Sequence, residues 1–368
     1  MKTRRENMPL KNSQTVSDEW SRLEMICSTF GKVKNCDPGH SVIMGVDEMD
    51  DAAMIRITAT DSLVIASDFV RGSGFYLAEM GLLNYFDIGY YLVIANLSDI
   101  AAMGASPSGL TTIVRYSRSM TDDQFKESLR GIRAAADAYG TPVVGGDIGG
   151  YSADVFAATA FGFVKTKAAL KRSGAQPGDV LCLTGPIGLP ISALMYFRDA
   201  KPKGMKLSVA DEEVLLDSWR RPVARIHEGV LLSTSRTCTA CQDISDGLKA
   251  TIEQLGVSSN IGFVVERSAL PIHPSIKRIA EYLHCDDVAL ALSASVDFSL
   301  LFTVARHKLS KCKELFEQQR LSFSIIGEAI AKREFTLQNI DGRRGPLPGV
   351  EWKQQTGNYL KSIIEAQK

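Results

Sequence analysis

The sequence predicts a two-domain protein of the α/β (α+β) class. Three observations carry that expectation. Short apolar runs of strand length alternate with stretches of helical spacing along the chain. A polar break containing Gly and Pro, Lys171 to Asp179, divides the alternation into two halves. One stretch, Asp87 to Pro107, reads as a long helix that stops at Gly104. It is apolar on nearly every face, since Ile88, Tyr91, Leu92, Val93, Ile94, Leu97 and Ile100 leave no solvated stripe. Such a helix sits inside a protein. It also carries Asn96 and Asp99, three residues apart and so on one face. A buried carboxylate is costly unless paired or bound to a cation. Asp99 is therefore either a structural cap or a cation ligand carried into an active site.

The 368 residues suffice for two domains, and 42 basic residues balance 42 acidic ones. Zero formal net charge argues against a surface that wraps nucleic acid. No apolar run reaches the roughly 18 residues of a membrane span. The first residues are basic but lack the apolar core of a secretory signal. Residues 1–40 are expected to be a leader followed by a first helix. Seven cysteines, an odd number, fit reduced thiols and a cytoplasmic protein. Cys238 and Cys241 form a lone C-x-x-C and are expected to be chance thiols before a strand.

The elements follow in order. Trp20, Leu23, Ile26 and Phe30 have helical spacing, so a helix is expected over Glu19 to Phe30. Two short apolar runs then flank Asp47, Glu48, Asp50 and Asp51. Four carboxylates in five positions repel unless a cation neutralises them, and oxygen ligands at that density suit Mg²⁺ or Ca²⁺ rather than zinc; the alternative is a solvated acidic loop. Ser62 to Ala66 is a buried-strand candidate with Asp68 at its end, where α/β proteins place ligands. A loop at Arg71 to Gly74 precedes the central helix. Strands are expected at Leu110 to Tyr116, Pro142 to Val144 and Val155 to Val164, with an amphipathic helix over Thr121 to Tyr139. Gly145, Gly146, Asp147, Gly149 and Gly150 form a glycine-rich turn that lets backbone approach an anion.

The second half opens with a strand at Val180 to Leu183, a turn at Gly185 to Gly188 and a helix at Leu189 to Phe197. The turn lacks the lysine of a P-loop and the dinucleotide glycine spacing, so it reads as architecture. Ala200 to Met205 is a loop. Arg220, Arg221 and Arg225 either clamp phosphates or ride the surface. Asp243-Ile-Ser-Asp-Gly-Leu248 places two acids and a hydroxyl before a helix N-terminus, a cap by default and also a seat for a metal–phosphate group. Val288 to Leu292 leads through a loop carrying Asp297 to a strand. A helix over Cys312 to Gln319, a strand over Phe323 to Ile326 and a turn at Gly327-Glu328 follow. From Ala331 the chain is polar and ends in a short helix. The expected domains are 41–168, 169–335 and a tail, 336–368. Six acids fall at strand-to-loop ends or on the central helix, and the five histidines lie apart. Polyphosphate with several Mg²⁺ ions is the chemistry that uses many Asp and little His.

Taken together, the order DDAA (Asp50 to Ala53), Asp68, NLSDIAAMGASP (Asn96 to Pro107), VGGD (Val144 to Asp147), RSGAQPGD (Arg172 to Asp179), Arg221-Pro222 with Arg225, DISDGL (Asp243 to Leu248) and Trp352 resembles the thiamine-monophosphate kinase family. That family belongs with aminoimidazole ribonucleotide synthetase, selenophosphate synthetase and the hydrogenase-maturation dehydratase. The resemblance covers roughly Ser41 to Tyr359. It implies a homodimer paired through the N-terminal sheets, with ATP and Mg²⁺ between the domains. It implies Asp50, Asp51, Asp68, Asp99, Asp147 and Asp246 as ligands of metal or nucleotide phosphate. Asn96, Gly145, Gly146 and Arg172 would lie on the nucleotide side. Ser245 would sit near the transferred phosphate, with Asp99 and Asp246 as catalytic acids. Asp297 and Trp352 or Tyr359 would lie on the substrate side. The chain departs from the family pattern at Met49 (glycine), Tyr91 (lysine), Gly150 (arginine), and Val296 and Ser299 (glutamates). The implied activity is phosphoryl transfer from ATP to a small acceptor. ATP-driven cyclisation or dehydration through a phosphorylated carbonyl or amide oxygen, and a non-catalytic dimeric scaffold, remain alternatives.

Overall fold

The computed structural model describes residues 19–31, 41–72 and 75–350. Trp352 and Tyr359 lie outside the described residues. The first half contains α1 (Glu19–Phe30), β1 (Ser41–Met44), β2 (Ala53–Arg56), β3 (Asp61–Val70), α2 (Tyr76–Glu79), α3 (Tyr85–Ala102), β4 (Ser106–Tyr116), α4 (Asp122–Ala138), β5 (Val143–Gly150) and β6 (Val155–Lys165). Its six strands form one sheet in the order β1-β2-β3-β6-β4-β5, antiparallel except for the β4–β5 pair. Alternation along β6 buries Phe156, Ala158, Ala160 and Val164 on one face, and α3 packs there.

The second half contains β7 (Val180–Leu183), α5 (Leu189–Met195), α6 (Val209–Arg220), α7 (Ile226–Ser235), β8 (Cys238–Asp243), α8 (Leu248–Ser259), β9 (Gly262–Glu266), α9 (Pro274–Tyr282), α10 (Asp287–Leu292), β10 (Leu300–Val304), α11 (Leu309–Gln318), β11 (Ser324–Ile330), β12 (Phe335–Gln338) and β13 (Arg344–Pro346). Its sheet runs β13-β12-β9-β11-β7-β10-β8, with β12–β9 the parallel pair. Both halves are thus mixed, largely antiparallel α+β layers.

Helix α3 is the hub. It contacts β3, β6 and α4 in its own half and α6, α7 and β8 in the other. Its apolar girth follows, since Leu92, Val93, Ile94, Leu97 and Ile100 are fully buried. It starts two residues earlier than the apolar pattern indicates because Asn84 caps it. Asn84 Oδ1 accepts the Asp87 N–H at 2.9 Å, and Asp87 Oδ2 accepts the Asn84 N–H at 3.0 Å. At the other end Gly104 takes φ +66, the left-handed conformation that glycine adopts without strain. Ser106 and Pro107 already belong to β4. Helices α3 and α4 pack closely because Gly89 and Gly131 face each other's helix; a Cβ at Gly131 would collide with the Phe86 carbonyl oxygen.

Several elements differ from expectation. The glycine run 145–150 is not a turn but the edge strand β5, almost wholly exposed. Its neighbour β4 supplies the hydrogen-bond ladder, so the strand forms without side-chain periodicity. Gly327 and Glu328 lie inside β11, and β12 and β13 occupy the segment expected to be irregular. Strand β12 pairs with β9 and β13 with β12, and these short strands carry too few residues to show a period. Beyond Met195 the α5 backbone widens over Tyr196–Ala200, and Lys201–Lys203 is a helical turn rather than a loop. Helix α11 begins at Leu309, ahead of Cys312. Arg220 and Arg221 serve packing. Arg220 donates to the Leu82 carbonyl at 2.9 Å, while Arg221 pairs with Asp87 at 2.7 Å and lies over the Phe86 ring.

Candidate active site

Three elements from both halves bring carboxylates together. The helical turn Val46–Glu48 ends at Met49, with φ +50, and this left-handed residue swings the chain so that Asp50 and Asp51 turn inward. Helix α3 supplies Asp99, and Asp243 is the last residue of β8. Carboxylate oxygens of Asp51, Asp99 and Asp243 all lie within 4.8 Å of one another. Ser98, one residue before Asp99, donates to Asp243 Oδ2 at 2.5 Å and ties the two halves together.

Arg172, at the junction between the halves, faces the same cluster. Its Nη2 and Nε donate to Asp51 Oδ1 at 2.5 and 2.9 Å, and its Nη1 donates to the Met49 carbonyl at 3.0 Å. Its backbone N–H reaches the Asp50 carboxylate at 3.2 Å. Asn96 Oδ1 accepts the Asp68 N–H at 3.0 Å while its Nδ2 donates to the Leu92 carbonyl at 2.9 Å. Asn96 thus braces the end of β3, and Asp68 stands beside the cluster.

The electrostatics are those of crowded, buried carboxylates. Burial pushes Asp51 up to about 8, and Arg172 offsets only part of that. Burial, then repulsion from Asp243, Asp51 and Asp68, holds Asp99 well above the usual carboxylate range. Burial raises Asp243 to about 6 against the Ser98 hydrogen bond, which lowers it. Asp50 and Asp68 are raised by burial as well. A divalent cation fits these residues on an observation of the site itself: Asp51 Oδ2 is buried with no hydrogen-bond partner. The all-oxygen donor set suits Mg²⁺ rather than a softer metal.

The expected residues separate into groups. Asp51 and Asp99 meet, with Asp50 and Asp68 adjoining. Asp246 and Ser245 are exposed on the turn before α8, and Asp246 acts on Asp243 by charge. Asp147 stands apart on the exposed edge strand β5, where Arg115 pairs with it at 2.6 Å and holds its carboxyl low. Gly145 and Gly146 lie on that same edge. Arg172 faces Asp51 rather than open space. Asp243 is the cluster member that sequence reasoning passed over in favour of Asp246. Its signal was its place as the first acid of the Asp243-Ile-Ser-Asp-Gly-Leu248 motif, directly after the Cys238–Gln242 stretch.

Asp297 lies on the loop that leads into β10. Leu300 pairs opposite Asp243 across β8 and β10, and the Phe298 N–H donates to the Ile244 carbonyl at 2.9 Å. Asp297 Oδ1 accepts the Gly188 N–H at 2.9 Å; its Oδ2 is buried without a partner, and burial raises the group to about 7. Phe298 between them holds φ +50, a strained conformation for a bulky residue. Tyr91 stacks on Trp219 at 5.8 Å and meets Phe298 edge-on at 5.4 Å.

Comparisons with known proteins agree with this architecture. Residues 49–164 match the AIR synthase related protein N-terminal domain, and residues 176–339 match the corresponding C-terminal domain. A thiamine-monophosphate kinase from Pyrococcus abyssi is 33% identical over 66% of this chain and 70% of its own length. One from Methanocaldococcus jannaschii is 29% identical over 88% of this chain and 96% of its own length. Among solved structures, AaThiL complexed with AMPPCP and TMP superposes with a TM-score of 0.75 at 21% identity, over 93% of this chain and 99% of that one. The thiamine-monophosphate kinase of Stenotrophomonas maltophilia gives 0.68 at 27% identity, over 88% and 95%. The chain is a member of the AIR synthase related proteins and, within them, of the thiamine-monophosphate kinase family of kinase-type enzymes.

Proposed function

We propose that this protein uses Mg²⁺ and ATP to transfer the terminal phosphoryl group to a small acceptor that is phosphorylated or heterocyclic. The observation that carries the reading is the Asp51–Asp99–Asp243 cluster with its buried, unpartnered Asp51 Oδ2. The relatives named thiamine-monophosphate kinase support it, as does the AaThiL structure that holds AMPPCP and TMP. Mg²⁺ held by these three carboxylates, with Asp50 and Asp68 beside them, would neutralise phosphate oxygens during transfer. In this reading Ser245 faces the transferred group near the positive end of α8. The acceptor lies against Asp297, whose Oδ2 is buried without a hydrogen-bond partner.

A homodimer through the first sheet belongs to the same proposal. The sheet face away from α3 exposes Phe69, Ile113 and Phe163, an apolar patch that suits a second copy. Ile113→Lys should lower the sedimentation coefficient to that of a monomer; an unchanged value would exclude this face. We place the reaction in the cytoplasm. The six described cysteines are free, and no described helix is long and apolar enough to cross a membrane.

Calorimetric titration with AMPPCP, with and without Mg²⁺, tests the reading. Binding that requires Mg²⁺ is expected. No binding in either condition would refute the nucleotide site and favour the scaffold alternative. With ATP and an acceptor, a stable phosphorylated product is expected. Phosphate release with a condensed product would instead mark cyclase or dehydratase chemistry.

A further inference from the structure

We infer that Arg172 is the resident counter-cation of the metal site and a positioning residue for Asp51. The inference rests on the metal–nucleotide reading above and concerns a residue whose expected place was on the nucleotide. Arg172 spends its side chain on protein groups: two N–H donors go to a single oxygen of Asp51 and a third goes to the Met49 carbonyl. Its backbone N–H adds the Asp50 carboxylate. The Asp51 side chain is fully buried and the Arg172 side chain is 21% exposed, so little water screens the pair.

Two consequences follow from that geometry. The first concerns orientation. With Oδ1 held by both guanidinium donors, Asp51 Oδ2 is the oxygen left over, and it is the buried unpartnered atom. The planar fork of arginine fixes a carboxylate in a way that the point charge of lysine does not. The second concerns charge. Arg172 offsets one negative charge of the set Asp51, Asp99 and Asp243, which Asp50 and Asp68 adjoin, and leaves the rest for bound cations to neutralise. The loop segment also anchors Arg172 to the second half. Its carbonyl accepts the Ser259 hydroxyl at 3.3 Å, and the neighbouring Lys171 carbonyl accepts the Cys241 N–H at 2.8 Å. The counter-cation is therefore carried by the half that supplies Asp243 and reaches across to the half that supplies Asp51.

The test uses the full chain as wild type, Arg172→Met and Arg172→Lys. Thermal melts are recorded in EDTA and in increasing Mn²⁺, and Mn²⁺ affinity is measured by titration with and without AMPPCP. Arg172→Met should melt several degrees lower than wild type in EDTA, because three carboxylates then lack a counter-charge. The gap should close as Mn²⁺ is added, and the variant should bind Mn²⁺ alone about tenfold more tightly through loss of repulsion. Arg172→Lys should retain wild-type Mn²⁺ affinity while turnover falls, because charge remains and the fork is lost. A melting deficit that is the same with and without Mn²⁺ would mark Arg172 as a structural residue and overturn the inference. So would unchanged or weaker Mn²⁺ binding by Arg172→Met. If the wild type binds neither Mn²⁺ nor Mn²⁺–AMPPCP, the metal–nucleotide reading fails and this inference fails with it.

Discussion

Replacing Asp99 by asparagine separates the two readings of the central helix. Asp99 faces Asp51 and Asp243, with oxygens within 4.8 Å. At an effective dielectric of about 20, two like charges at that separation repel by about 3 kcal/mol. Arg172 and partial protonation relieve part of this, so Asp99→Asn should stabilise the metal-free fold by about 1–3 kcal/mol at pH 8. The pH dependence has a definite sign. Asp51 is raised from 3.8 to about 8 and Asp243 from 3.8 to about 6, so the folded protein holds protons that the unfolded chain releases. Stability of the metal-free wild type therefore falls as pH rises from about 4 towards 8. The advantage of Asp99→Asn should shrink towards zero near pH 5, where the remaining groups are protonated. Loss of one anionic ligand should at the same time weaken Mg²⁺-dependent AMPPCP binding at least 100-fold, about 2.7 kcal/mol. Urea denaturation in EDTA at pH 5 and pH 8, with calorimetry in Mg²⁺, measures both effects. If Asp99→Asn is less stable than wild type at pH 8 in EDTA, Asp99 is a satisfied structural residue and the metal argument is wrong.

Three further outcomes follow from named contacts. Ser98→Ala removes the hydrogen bond that lowers Asp243, so the carboxyl should titrate above about 6 and Mg²⁺ binding should require higher pH; an unshifted affinity–pH curve would deny Ser98 that role. Gly131→Ala drives a methyl into the Phe86 carbonyl and should cost about 1–3 kcal/mol in denaturant unfolding, through separation of α3 from α4; a change under 0.5 kcal/mol, on the order of an ordinary surface substitution, would show that the helices yield freely. Met49 holds φ +50, so Met49→Gly should lie within about 1 kcal/mol of wild type, whereas Met49→Val should lose about 1–2 kcal/mol. Equal stability of the two variants would remove the backbone argument.

What was legible in the sequence depended on how far each property reaches along the chain. Helix α3 was legible because an all-round apolar stretch of that length has one environment, and α1 matched residue for residue because its spacing is periodic. The edge strand β5 was not legible: four glycines in eight residues have no period, and the strand exists because β4 offers a ladder. The same distinction governs the site. Asp51 and Asp99 could be selected locally, one by crowding of like charges and one by burial in an apolar helix. Choosing between Asp243 and Asp246 required knowing where β8 ends, because side-chain direction after a strand end is set by register with β10 rather than by the motif itself. Register is a property of pairing between segments distant in sequence. Arg172 is the sharper case. Its basic side chain near a phosphate site reads as a phosphate contact until the fold shows Asp51 within 2.5 Å of it. A cation committed to a metal ligand and a cation that contacts nucleotide have the same sequence signature, and they part only in their response to metal: substitution of the first tightens cation binding, whereas substitution of the second weakens nucleotide binding and leaves the metal alone.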